Sequence, residues 1–487
     1  MVCSMIGLLL RVEAALLCVP AAVSLIYRET SFISFVITIA ITLALGLTFK
    51  VFFRPSNRVI YAKDGLVIVA LAWIVLSAFG AIPFVVSGEI PSYVDAFFET
   101  VSGFTTTGSS IVTDLGVMSH GMLFWRSFTH WIGGMGIIVL IMAIFPTDSG
   151  RSMHIMRAEM PGPIVGKLVP RVKDTAKILY LIYIFLTVAE VIFLVCGEMN
   201  LFDSIVHSLG TAGTGGFGIK PDSIGGYSAY SQWVITIFML IFGVNFNLYY
   251  LILIGRARLI FKSEELRAYI GIIVASVAAI CVNIYHLYDG FAEALRHSAF
   301  QVATVVTTTG YATTDFDLWP EFSKSILFLL MFMGGCAGST AGGLKVSRIV
   351  LMFKMGISSL KKLVHPRYVD SVKFEGKSVD TATRRSLRGY VMTYFLLMAG
   401  ILLLLSLNNF DFETNVSAVV ACYNNIGPGF AAVGPSMSFA AFSDFSKILL
   451  SFTMLLGRLE LYPILVMLVP MAWKRSKVKN LNIDEEE

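Results

Sequence analysis

Phe104-Thr105-Thr106-Thr107-Gly108-Ser109-Ser110 decides how this 487-residue chain is read, because versions of it occur four times. Thr107-Gly108-Ser109 returns as Thr214-Gly215-Gly216, as Thr309-Gly310-Tyr311 and, more distantly, as Ile426-Gly427-Pro428. Each copy lies between two apolar runs long enough to cross a bilayer, with a short, weakly apolar segment just ahead of it. That order predicts a membrane helix, a half-crossing pore helix, a narrow loop and a second membrane helix. Four such units in one polypeptide can enclose one axis without help from other subunits.

With 56% hydrophobic and 14% charged residues, and a mean hydropathy of +0.77, the chain is not an ordinary soluble domain. The apolar residues come in blocks of about 20, the helix length that spans roughly 30 Å of hydrocarbon. Ten spans are expected, at 5–26, 32–52, 66–87, 121–145, 178–197, 232–254, 268–288, 325–353, 390–408 and 446–472. The first is read as a retained helix, because no small-residue cleavage site follows it. The expected fold is an all-α polytopic membrane protein. Two N-terminal helices (1–60) precede four pore repeats at 61–150, 151–262, 263–365 and 366–487.

Basic residues concentrate in alternate loops: 50–63, 151–177, 256–267, 348–388 and 474–479 hold 28 of the 37 Lys and Arg. The positive-inside rule makes that side cytoplasmic, with both termini, and turns the four short loops outward. The opposite segments carry sixteen acids, among them Asp95, Glu99, Asp203 and Asp222, against six bases. An acidic outer mouth would concentrate cations; equally, outer loops simply lack bases under the same rule.

The loop glycines at 108, 215, 310 and 427 are each followed by a glycine in the next span, Gly134, Gly243, Gly335 and Gly457, at intervals of 26, 28, 25 and 30 residues. The segments before them are too short to span: about ten helical residues cover about 15 Å. Asp95 and Asp203 suit the outer N-termini of these half-helices as caps, so the partially negative C-terminal ends point at the membrane centre. Irregular backbone at that depth is tolerated only where it lines a cavity, and glycine lets consecutive carbonyls turn to one side. Thr106, Thr107, Gly108, Thr214, Gly215, Thr308, Thr309, Gly310, Asn425, Ile426 and Gly427 are therefore the candidate cation filter, whose carbonyl oxygens replace the ion's water.

The span near 325–353 contains Gly334, Gly335, Gly338, Gly342 and Gly343, with Ser339 and Thr340 between them, and ends its glycine run at Lys345. Each interior glycine costs about 1 kcal/mol of helix stability, so a break is expected, either as a gate or as a site of close helix packing. Arg458 sits in the last span, where a base is expensive and usually faces an aqueous path or a partner. It either opposes cation flow and tethers the gate or pairs statically with Glu460. Glu13 and Glu190, also within spans, are expected to make helix-packing hydrogen bonds. The six cysteines are scattered singly, the seven histidines form no ligand pair, and no nucleophile-base pair or phosphate loop appears, so neither a metal centre nor an enzyme is expected. The basic loops suit acidic lipid or a protein partner and not a nucleic acid.

Phe98-Glu-Thr-Val-Ser-Gly-Phe-Thr-Thr-Thr-Gly108, Phe124-Trp-Arg-Ser-Phe-Thr-His-Trp-Ile-Gly-Gly-Met-Gly136, Gly334-Gly-Cys-Ala-Gly-Ser-Thr-Ala-Gly-Gly-Leu-Lys345 and Leu456-Gly-Arg-Leu-Glu460 resemble the bacterial TrkH/KtrB potassium-uptake family. The two leading helices point to its TrkH branch. The resemblance implies a K+-permeable pore, usually a homodimer in the inner membrane, gated by a cytosolic nucleotide-binding TrkA-type ring. It implies filter glycines at Gly108, Gly215, Gly310 and Gly427, a gate at 334–343, and a barrier role for Arg458. In related plant transporters a serine at the first glycine favours sodium, so Gly108 implies potassium. The fourth loop, Asn424-Asn425-Ile426-Gly427-Pro428, departs most from the pattern. Gated channel and coupled symporter both need the same filter; the repeats run in one direction, whereas symporter folds usually invert theirs.

Overall fold

The computed structural model describes residues 2–53, 62–136, 172–367 and 372–470. Arg54, Arg58, most of the basic segment 151–177, the basic run 474–479 and the acidic tail 484–487 lie outside the described residues. Helices α1 (Val2–Ile26) and α2 (Ser31–Phe52) form an antiparallel hairpin. Small residues set its closeness: a Cβ on Gly7 would stand 2.7 Å from Phe49 Cβ, and one on Gly46 would stand 2.8 Å from Arg11 Cγ. The hairpin packs through α1 onto α3 (Ala62–Gly80) and α6 (His120–Gly134).

Four repeats follow. The first runs α3, its continuation α4 (Ile82–Ser87), pore helix α5 (Tyr93–Phe104) and α6. The second is α7 (Val172–Cys196), pore helix α8 (Leu201–Gly213), α9 (Ala229–Phe242) and α10 (Phe246–Leu253). The third is α11 (Glu264–Ile284), pore helix α12 (Phe291–Val306), α13 (Glu321–Leu330) and α14 (Val346–Val364). The fourth is α15 (Thr381–Leu405), pore helix α16 (Phe412–Tyr423), α17 (Asp444–Arg458) and α18 (Tyr462–Leu468). Pore helix α8 packs on α6 of the preceding repeat, α12 packs on α9, and α5 packs on α17, which closes the fourth repeat onto the first.

The pore helices have 12, 13, 16 and 12 residues, so at about 1.5 Å per residue they reach only partway across the hydrocarbon. Their caps differ from expectation. Ser92 accepts from the Asp95 amide at 3.3 Å and Asn200 from the Asp203 amide at 2.8 Å. Both aspartates therefore stand in the first turn, where their charge still complements the helix dipole. Asp95 instead pairs with Lys447 at 2.6 Å, and Asp203 accepts from the Tyr227 hydroxyl at 2.8 Å.

A second difference concerns the helices after the loops. A break is expected only in the third, yet all four are interrupted. The first ends at Gly134; the second bends by 90° between α9 and α10. The third is irregular over 331–345, and the fourth breaks at Glu460 and Leu461, which have φ of 53° and 65°. In the second repeat the cause is a contact with the third. The Gly243 carbonyl leaves its helix to accept from the Cys336 amide at 2.9 Å, and Asn245 caps α10 through the Asn247 amide, also at 2.9 Å. Among the described residues, six helices are long and apolar enough to cross a membrane, or seven if the bent pair counts as one span. Glu13 is buried, but neither of its carboxylate oxygens has a hydrogen-bond partner, contrary to the packing bonds expected of it.

Replacing Gly7 with leucine forces α1 from α2 and should cost about 1–3 kcal/mol. Thermal unfolding in detergent checks this; an unchanged midpoint contradicts the packing described.

Candidate functional site

Each pore helix ends in the same backbone motif. A residue in the left-handed region follows the last turn: Thr106 (φ 54°), Thr214 (57°), Thr308 (55°) and Asn425 (56°). The next amide then reaches five residues back, Thr107 to Ser102 O at 2.9 Å, Gly215 to Gly210 O at 2.9 Å, Thr309 to Thr304 O at 2.8 Å and Ile426 to Ala421 O at 2.9 Å. This is a Schellman-type ending. It normally uses glycine, and a β-branched threonine is held there only by its surroundings. One residue further on stands a glycine with positive φ: Gly108 (83°), Gly216 (74°), Gly310 (90°) and Gly427 (104°).

That register corrects the second loop by one residue. Gly215 occupies the position of Thr107, Thr309 and Ile426, while Gly216 is the counterpart of Gly108. The Thr-Gly dipeptide misleads because a second glycine fills the preceding slot; threonine-any residue-glycine is the pattern that holds in three loops.

The glycines close the ring. A Cβ on Gly108 would collide with Gly215 O, one on Gly216 with Thr309 O, and one on Gly310 with Ile426 O. A Cβ on Gly427 would stand 2.9 Å from Thr107 O. Each loop thus lays its glycine against the carbonyl of the next, and the fourth returns to the first. All four glycines line one cavity of about 330 Å³ on the filter side.

That cavity is walled by hydroxyls, backbone, apolar side chains such as Val112, Leu115 and Met437, and two bases, Arg126 and Lys220; among the described residues no acid lines it. The expected acidic mouth is not what borders the loops. Glu99 is buried instead, paired with Arg126 at 2.8 Å, and it also accepts from Ser110 Oγ at 3.0 Å and the Ile111 amide at 3.0 Å. Arg126 donates to Gly218 O at 3.2 Å and lies 4.2 Å from the Phe217 ring centre. One ion pair therefore braces the first and second loops from behind. By sequence both residues belong to the outer charges; Arg126, the sixth residue of the apolar block 121–145, is the available signal. His130 supports the same corner through Nδ1 and Gly103 O at 2.8 Å, its ring filling the space beside Gly215. In the fourth loop the Asn425 amide donates to Thr107 Oγ1 and to Met454 O, both at 2.9 Å, so this side chain is a brace between loops.

Beneath the ring lies the glycine-rich segment. Gly334 N bonds Leu344 O at 2.8 Å, folding 331–345 back on itself, with Gly338 and Gly343 at φ of 74° and 62°. Gly342 N donates to Thr308 Oγ1 at 2.7 Å, which seats the segment under the third loop. Gly335 O accepts from Val346 N at 3.2 Å, Thr340 Oγ1 donates to Phe242 O at 3.3 Å, and Lys345 Nζ donates to Ala341 O and Gly342 O. Ser339 lines a cavity of only about 40 Å³ with Arg458 and Lys345, room for a few waters. Arg458 Nη1 donates to Thr340 O at 2.8 Å and Nη2 to Gly133 O and Gly134 O at 2.6 and 2.7 Å. Glu460 pairs with Arg348, whose guanidinium lies 4.2 Å from the Tyr390 ring centre. Arg458 thus ties the glycine-rich segment at Thr340 to the end of α6.

Four loops carried by half-crossing helices and closed on one axis define a multi-pass membrane protein of the four-repeat pore class. The chain belongs to the TrkH family of cation transport proteins, whose profile matches residues 31–475. The Trk system potassium uptake protein TrkH of Salmonella typhimurium is 38% identical over 480 residues, 96% of this chain and 98% of that protein. The Trk system potassium uptake protein TrkG of Escherichia coli is 33% identical, covering 93% and 94%. The crystal structure of the potassium transporter TrkH from Vibrio parahaemolyticus superposes with a TM-score of 0.88 at 34% identity, covering 97% of this chain and 99% of that one. The first two relatives are named potassium uptake proteins and the third a potassium transporter.

Arg126→Gln strands the Glu99 carboxylate without its counter-ion and should cost about 3–5 kcal/mol, while pairing it with Glu99→Gln should recover part of the loss. Thermal midpoints of the three variants in detergent check this; a double variant no better than the single one contradicts the brace.

Proposed function

We propose that the chain takes up potassium across the bacterial inner membrane through the ring of four loops. The observation that carries this reading is the reciprocal contact of each loop glycine with the next loop's carbonyl. It leaves Thr107, Gly215, Thr309 and Ile426 as one layer of oxygens able to replace a cation's hydration shell. The names of relatives at 33–38% identity support potassium as the ion. The hydroxyls of Thr107 and Thr309 bond those of Thr105 and Thr307 at 2.7 Å, which ties each loop to the end of its own pore helix.

The gate in this proposal is the segment 334–343. Its position against Thr308 and the narrow space below the ring support it, and Arg458, which ties Thr340 to the end of α6, supplies both a latch and a positive barrier. The basic side of the chain faces the cytoplasm with both termini, and the regulator is a cytosolic TrkA-type nucleotide-binding ring acting on a homodimer. Transport is passive through the filter. Coupling to H+ or Na+ is the competing mechanism.

The experiment is rubidium flux and current in liposomes across imposed K+, Na+ and H+ gradients. The reversal potential should follow the potassium gradient alone; a shift with proton or sodium gradient at fixed potassium replaces the pore with a symporter. Gly108→Ser and Gly216→Ser should both admit sodium, because either side chain displaces a neighbouring carbonyl. Unchanged K+ over Na+ preference in Gly216→Ser would return the filter register to Gly215. Arg458→Ala should raise potassium flux roughly tenfold, the effect of about 1.4 kcal/mol on a barrier. A correctly inserted variant with unchanged flux removes Arg458 from the gate.

A further inference from the structure

Two cavities adjoin between α14 and α15, the helix that leaves the glycine-rich segment and the first helix of the fourth repeat. One, of about 720 Å³, is lined by Ser358, Ser359, Lys362, Arg384, Arg385 and Arg388 among others. The other, of about 490 Å³, is walled by Met352, Met355, Val391, Met392 and Phe395. Ser359 and Arg388 line both, so the basic space opens into the apolar one. Among the described residues no acidic side chain lines either. Asp380, just before α15, is turned to cap it through the Thr383 amide at 3.3 Å.

Position along α15 orders the two chemistries. The helix begins a span of 28 residues whose most apolar stretch has a mean hydropathy of 2.2. Its bases fall in the first two turns, at the edge of the hydrocarbon, and the methionine and phenylalanine walls follow on the hydrocarbon side. Arg384 to Phe395 covers roughly 16 Å of helix. An amphiphile with a phosphate at one end and an alkyl chain at the other matches that order, since guanidinium groups bind phosphate oxygens in pairs and basic pockets between membrane helices take anionic headgroups.

We propose that this cleft binds an anionic phospholipid, its phosphate held by Lys362, Arg385 and Arg388 and one acyl chain lying against Met355, Val391, Met392 and Phe395. The occupant grips α14, which continues directly from the gate segment, so the lipid steadies the helix on which that segment hangs. Lipid retention is read without any ion flux and stands apart from the transport proposal.

The test is native mass spectrometry of the full-length protein released from detergent with equal phosphatidylglycerol and phosphatidylcholine. The wild type should retain phosphatidylglycerol preferentially. Arg385→Gln with Arg388→Gln should weaken that preference roughly tenfold, whereas Lys361→Gln, on α14 but outside the cavity lining, should leave it intact. A double variant that keeps the preference overturns the proposal. So does displacement of the lipid by inorganic phosphate, which would make the pocket a small-anion site. Retention by monomers but not dimers overturns it too, since a second copy would then cover the cleft. If the double variant fails to insert, Met392→Gln carries the test: it should lower retention of both lipids at this site with the charges untouched, and unchanged retention refutes the acyl groove.

Discussion

The structure depends on one constraint: carbonyl oxygens left unpaired at membrane depth must face a shared cavity. Each pore helix stops in a left-handed residue, the next carbonyl is freed, and a glycine follows whose missing side chain makes room for the neighbouring loop. The contact is reciprocal around four loops, so no single repeat is stable in this form alone. Three of the four left-handed residues are threonines, a conformation that costs about 1–3 kcal/mol each. The closed ring and its braces offset that cost.

The braces come from the helices behind the ring. Arg126 and Glu99 tie the first two loops, His130 fills the corner beside Gly215, and Asn425 links the fourth loop to the first. The helices after the loops break just below, and their freed carbonyls accept from the glycine-rich segment and from Arg458. Gly243 O receives Cys336 N, while Gly133 O and Gly134 O receive Arg458. The ring and the glycine-rich segment are therefore not separate layers: Gly342 N on Thr308 Oγ1 is a direct bond between the segment and the third loop.

Much of this was legible in the sequence. Apolar block length showed a multi-pass membrane protein but not where its spans break, since six helices, or seven with the bent pair, are long and apolar enough to cross among the described residues; repetition showed four units. The glycine run gave a break at 331–345, because backbone entropy against helix formation is local and needs no partner. What failed to show was set by which hydrogen bonds and ion pairs form, and residue type alone does not choose among them. Gly215 looked like the filter glycine until the amide bond back to Gly210 fixed its slot. Glu99 and Arg126 looked like mouth charges because nothing local says that residues 27 apart face each other in a buried pair. Asp95 and Asp203 scored as caps by residue type, but Ser92 and Asn200, three positions earlier, had the same chemistry and the right turn. The breaks in the second and fourth repeats lack a glycine run and follow from where carbonyls are needed.

The most direct test of the ring is anomalous diffraction from crystals of the protein grown in rubidium. The four-loop account predicts a peak on the axis, at comparable distances from the carbonyl oxygens of Thr107, Gly215, Thr309 and Ile426. Ordered rubidium found only in the outer cavity, with none within coordination distance of that layer, would contradict it.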